Sequence, residues 1–192
     1  MRSEIQTALI GVGATIAGTI LGWILNALSN SGSLKVFVSF WEDSFKHLSS
    51  FGEMVPCVNR AEVQNFSYKV SLDLYNSSGN IKIMRNIRIV FSDGKHDIKI
   101  ETPLDDATKR SSPPMVFYDK VGPINIPPKT VINIMFHGGA SNQNGELDFI
   151  WKSKKVYLLY TDEKNRLRRE VLKVEDYENY FTTHKLEEQQ NG

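Results

Sequence analysis

Hydrophobic and polar positions in this chain follow one pattern up to Leu28 and another after it. From Ile5 to Leu28 the run IQTALIGVGATIAGTILGWILNAL carries no charged side chain. As a helix it is long enough to cross a hydrocarbon core of about 30 Å. A soluble helix needs a polar face, and this one has none. Thr7, Thr15 and Thr19 can bond back to carbonyls of the preceding turn, so they cost little in lipid. A transmembrane helix over 5–28 is therefore expected, after a short tail at 1–4. The rival is a signal peptide cleaved near Ala27-Leu28-Ser29, but the run exceeds the usual apolar segment of about 7 to 15 residues.

A polar linker, 29–33, separates this run from a region where the period drops to two. In LKVFVSFW, alternation places Leu34, Val36, Val38 and Phe40 on one face and Lys35, Phe37, Ser39 and Trp41 on the other. The stretch from Glu42 to Arg60 shows neither period. From Phe66 to Tyr75, the residues Phe66, Tyr68, Val70, Leu72 and Leu74 point one way, as in a strand with one buried face. Asn76 to Asn80 is dense in turn formers, and Ile87, Ile89 and Phe91 resume the alternation. Asp93-Gly94 predicts a type I′ reversal into His96–Glu101. Asp105 to Pro114 is polar and predicts a loop, with a short edge strand at Val116–Tyr118. Pro127-Pro128 precedes a strand at Thr130–His137, and Gly138–Gly145 predicts a connection. Val156, Leu158 and Tyr160 alternate next, and Thr161–Asn165 turns the chain into Arg166–Val174.

About seven short strands with turn signals between them predict a mainly β domain over 34–174, an antiparallel immunoglobulin-like β-sandwich, with a small β-barrel as the alternative. The remainder, 175–192, is an acidic tail expected to fray after a helical turn or two.

Composition narrows the partners. Lys plus Arg number 23 and Asp plus Glu 22, so no global field recruits nucleic acid, and none is expected as a partner. The lone Cys57 can form no internal disulfide, and no cation or His lies near it in the sequence to activate the thiol. His47, His96, His137 and His184 lack zinc-ligand spacing and read as surface residues. His137-Gly138-Gly139 has the look of an oxyanion loop, but no G-x-S-x-G elbow accompanies it, and a strand end turning through two glycines accounts for it. No catalytic, cofactor-binding or metal residues are assigned, and no cofactor is expected.

Two features suggest contacts. Ala14, Gly18 and Gly22 recur at a spacing of four on one helix face, the pattern that lets helices approach closely and form a homo-oligomer. Lys164, Arg166, Arg168 and Arg169, with Lys152, Lys154 and Lys155 on the same hairpin, form a candidate patch for headgroup phosphates, a small anionic ligand or an acidic protein. The bland reading of those cations is a solvated sheet face that discourages edge pairing. Lys35 and Lys46 against Arg2 favour a cytoplasmic β domain on an inner-membrane anchor.

The segments YKVSLDLYNSSGNIKIMRNIRIVFSDGK, YDKVGPINIPPKTVINI and KKVYLLYTDEKN resemble a loose group of uncharacterised bacterial single-span membrane proteins with a small C-terminal β-sandwich. The resemblance covers most of the chain and carries no catalytic signature. It implies small accessory or mobile-element-encoded proteins, a setting that admits a phage-defence role. Two functions follow. One is a membrane-anchored, non-catalytic binding or interaction module. The other is an oligomerising membrane effector of anti-phage defence, in which the β domain senses a ligand and the helix perturbs the bilayer.

Overall fold

A helix without a polar face is either buried or set in lipid, and α1 (Arg2–Asn30) projects from the β domain, meeting it at its last residues, where Ser29 and Asn30 lie against Gly79. In the computed structural model, which describes residues 2–142 and 145–183 with side chains from residue 11 onward, none of Gly11–Asn30 is buried. That stretch is long and apolar enough to cross a membrane. The strands follow as β1 (Leu34–Leu48), β2 (Met54–Pro56), β3 (Asn65–Asn76), β4 (Lys82–Ser92), β5 (Asp97–Glu101), β6 (Leu104–Asp105), β7 (Arg110–Ser112), β8 (Met115–Phe117), β9 (Ile124–Ile126) and β10 (Val131–Ser141). A short helix α2 (Asp148–Lys152) precedes β11 (Lys155–Thr161) and β12 (Leu167–Val174).

The domain is an antiparallel β-sandwich of immunoglobulin-like type. One sheet has the order β2-β1-β3-β10-β6 and the other β12-β11-β4-β5, with β9 also on β4, while β7 and β8 form a separate hairpin arm. Phe66, Tyr68, Val70, Leu72 and Leu74 of β3 are all buried, as their alternation requires, and they face Ile87, Ile89, Phe91, Val156 and Leu158 of the second sheet. Each such side chain contributes about 1.5–3 kcal/mol when removed from water, so this interlayer is what holds the sheets together.

Several local expectations change. β1 runs on through Glu42 to Leu48, so the aperiodic stretch is partly strand. The period is hidden by a bulge between Val38 and Phe40, which shifts the register on β3 and exchanges the faces. Beyond it Trp41 turns inward and stacks on Tyr68 at 5.4 Å, and Phe45 is buried, whereas Phe40 is exposed. A similar slip occurs in β4, where Asn86 adopts a left-handed conformation (φ 52°), so Met84 and Ile87 are both buried despite their odd spacing. At the Asp93-Gly94 reversal only Gly94 has positive φ, so the turn is not type I′. The Asp93 carboxylate stabilises it by accepting from the N–H groups of Lys95 and His96. Asp105–Pro114 is not a plain loop, since it holds a 3-10 turn and β7, whose partner β8 lies at Met115–Phe117.

His137-Gly138-Gly139 lies inside β10, paired with Lys69, Tyr68 and Ser67, and does not form a turn. The helix α2 buries Phe149, Ile150 and Trp151 under the sandwich. The boundary drawn at Val174 cuts through the core, because Tyr177 is fully buried and Tyr180 and Phe181 pack on Phe45. The rest of the acidic tail, from residue 184, lies outside the described residues.

Candidate functional site

The junction between α1 and the sandwich is built from hydrogen bonds between Ser33 and Ser77 and a close crossing at Gly32. Ser33 N–H donates to Ser77 Oγ (2.9 Å), while Ser77 N–H and Oγ both donate to Ser33 O (3.0 and 2.9 Å). A Cβ at Gly32 would overlap the Ser77 backbone, so this crossing requires glycine. Ser77 is itself held by the Asn76–Asn80 turn. Buried Asn76 donates through Nδ2 to the carbonyls of Asn80, Ile126 and Pro127, and its Oδ1 accepts from Ser78 N–H and Oγ. The sequence marked this segment as a turn, and the fold makes it the socket for the chain leaving the helix.

Beside the socket is a cleft of about 300 Å³ whose one wall is Ser31–Leu34 and whose other is the tip of the β11–β12 hairpin. Lys164, Arg166 and Arg168 line it, together with Lys82 from β4. Arg166 Nε and Arg168 Nε converge on one oxygen, Asp162 Oδ2, at 3.1 and 2.9 Å. Asp162 is nearly buried, and its other oxygen accepts from the N–H groups of Lys164 and Arg166. Burial alone would push this carboxyl up, but the hydrogen bonds from Arg166, Arg168 and Lys164 outweigh it and hold the group below the usual carboxylate range. Lys82 is matched by Glu163 at 2.6 Å.

The other predicted cations lie elsewhere. Arg169 has the opposite parity on β12, pairs bidentately with Asp97 (2.6 and 3.1 Å) and covers Tyr157 at 3.8 Å. Lys152, Lys154 and Lys155 sit at the far end of the hairpin, where Lys155 pairs with Val174. The sequence therefore over-counted the patch, and it missed Lys82, which arrives from a separate strand.

In the helix, a Cβ at Gly18 or Gly22 would meet nothing within 4 Å, so the face they share with Ala14 is open in the single chain. Cys57 does have a histidine neighbour, His47 Nδ1 at 3.4 Å, brought by β1. Burial and then Glu62 push the thiol up, so it stays protonated and is a poor nucleophile. His137 is not a free surface residue: its Nδ1 lies 2.8 Å from Asp106 Oδ1, and Tyr118 packs edge-on at 4.2 Å. Beneath it, burial raises both the Tyr68 hydroxyl and the Glu101 carboxyl, which lie against Gly138.

Residues 32–173 match the YopI Ig-like domain. The chain belongs to that family. The YopI Ig-like match takes in the Ser33–Ser77 socket and the hairpin tip that forms the cleft. A curated relative is the SPbeta prophage-derived uncharacterized protein YopI of Bacillus subtilis (strain 168), 25% identical over 171 residues, covering 88% of this chain and 96% of that protein.

Proposed function

We propose that this protein is a membrane-anchored, non-catalytic interaction module, with α1 as a single span and the Ig-like domain as its binding part. The observation that carries the reading is α1 itself. Its apolar Gly11–Asn30 stretch is unburied throughout and ends just before β1, with only Ser31–Ser33 between them. Binding is supported by surface that a self-contained domain would cover. From Leu34 to Ser44, β1 has, among the described residues, a strand partner on one side only, and Phe37 and Phe40 are exposed along it. Such an edge accepts an added strand. Met115, Val116 and Phe117 are exposed on the β7–β8 arm. On this reading the anchor lies in the inner membrane with the β domain in the cytoplasm, an orientation that Lys35 and Lys46 against Arg2 support. Alkaline carbonate extraction of cell membranes tests the anchor: full-length protein should remain in the pellet, and its release into the supernatant would refute the reading.

A second reading makes the helix the working part of an oligomerising effector in anti-phage defence. The open face of Ala14, Gly18 and Gly22 supports it, since close helix packing needs such a face. The prophage-derived relative supports a mobile-element setting.

A further inference from the structure

We infer that the cleft between the helix exit and the β11–β12 tip binds the phosphodiester of an anionic phospholipid, which clamps the sandwich to the bilayer surface. The inference rests on α1 being a span. A helix rising about 1.5 Å per residue crosses the hydrocarbon core in about 20 residues, so Gly11–Asn30 delivers Asn30 to headgroup level. Ser31–Leu34, which follow directly, are one wall of the cleft. The Ser33–Ser77 bonds and the Gly32 crossing hold the sandwich at that height, so Lys164, Arg166 and Arg168 lie where lipid phosphates lie.

The donor geometry fits this ligand. Arg166 and Arg168 spend only their Nε atoms on Asp162, and no acceptor meets the Nη groups of either among the described residues. Two guanidiniums held through Nε on one carboxylate oxygen keep their Nη donors for a ligand, and guanidinium donors suit phosphate oxygens. Lys164 has no ion-pair partner among the described residues and adds a third donor at the tip. The charge count selects the kind of phosphate. Lys82, Lys164, Arg166 and Arg168 line the cleft with Asp162, Glu163 and Glu170, which leaves a single positive charge in excess. One excess charge matches a singly charged phosphodiester, whereas a dianionic phosphate would face three carboxylates with too little compensation.

The test uses the full chain in detergent micelles, offered equal amounts of phosphatidylglycerol and phosphatidylcholine with matched acyl chains, and native mass spectrometry reads the lipid retained. A cation near a headgroup contributes about 1 kcal/mol, so a preference for phosphatidylglycerol of about fivefold or more is expected. It should fall toward unity in the Lys164→Gln, Arg166→Gln double variant, with Arg168 still holding Asp162. Should the double variant unfold, Lys164→Gln alone decides, because its side chain makes no ion pair among the described residues and the preference must still drop. Equal retention of both lipids by the wild type would overturn the inference, as would a folded variant with undiminished preference. Loss of the preference in excess inorganic phosphate would overturn the lipid assignment in favour of the free anion. Release of the protein by carbonate would refute the anchor and the inference together. Retention in the membrane without any lipid preference would refute the inference alone.

Discussion

At the scale of single residues, the carboxylates that matter are those whose counter-charges arrive from another strand. Asp43 on β1 is nearly inaccessible, accepts from Trp41 Nε1 at 2.8 Å and from the Tyr177 hydroxyl at 3.0 Å, and pairs with Lys173 of the opposite sheet. Burial first, and then the Asp43 charge, pushes the Tyr177 phenol far up, so it stays a donor at every accessible pH. Asp43→Ala leaves Lys173 with Glu175 at 3.2 Å but strands the buried Tyr177 hydroxyl, and an unsatisfied buried donor costs about 1–3 kcal/mol. The substitution should therefore lower the melting temperature by about 2–12 °C, while Glu53→Ala, on an exposed turn, should change it little. Calorimetry on the purified chain checks both. Asp162 gives a pH prediction. Its carboxyl lies below the ordinary value, so the stability it contributes is complete above about pH 4 and is lost as pH falls below that. Melting temperature should drop more steeply on acidification in the wild type than in Asp162→Asn, and parallel acid profiles would show that the arginine clamp contributes nothing.

At the scale of elements, α1 and β1 both leave surface unused. The helix has an open small-residue face, and Ile tolerates lipid well while blocking close approach. Gly18→Ile with Gly22→Ile should insert normally and lose any cross-linked oligomer formed through the span. Leu21→Ala, on another face, should keep it. Equal cross-linking of the double variant and the wild type would reduce the stripe to composition, whereas joint loss of oligomers and expression toxicity would favour the effector reading over the anchor. For β1, the bulge at Ser39 explains why its faces could not be assigned by counting. A single inserted residue exchanges inside and outside for everything after it. Trp41 and Phe45 thereby enter the core, and Phe37 and Phe40 remain on the free part of the strand.

At the scale of the whole molecule, the position of the hairpin tip follows from a chain of contacts. Asn76 builds the turn, Ser77 holds Ser33, and the cleft forms between Ser33 and Lys164. If α1 spans a membrane, as proposed, the side on which this unit lies decides what it meets. On that proposal the slight excess of Lys35 and Lys46 over Arg2 points to the cytoplasm. Protease added to intact spheroplasts should then leave the β domain uncut. The exposed β7–β8 arm, with Arg110 at its base, supplies a cleavable reporter, and clipping there without lysis would reverse the orientation.

Periodicity alone determined the apolar helix, the principal strands and the sandwich class, because an apolar stripe and a two-residue alternation are local properties that survive in any context where one face is buried. The tertiary structure alone decided which alternations slip, as at Ser39 and Asn86, because a bulge depends on the partner strand's register. It also decided that Tyr177 belongs to the core, that His47 reaches Cys57, and that Arg166 and Arg168 share Asp162 while Arg169 turns away to Asp97. A run of cations in sequence specifies charge but not direction. Strand parity sent Arg169 to the opposite face, and pairing across β4 brought in Lys82, which lies 82 residues earlier than Lys164 in the chain (164 − 82) and has no sequence signal linking it to the hairpin.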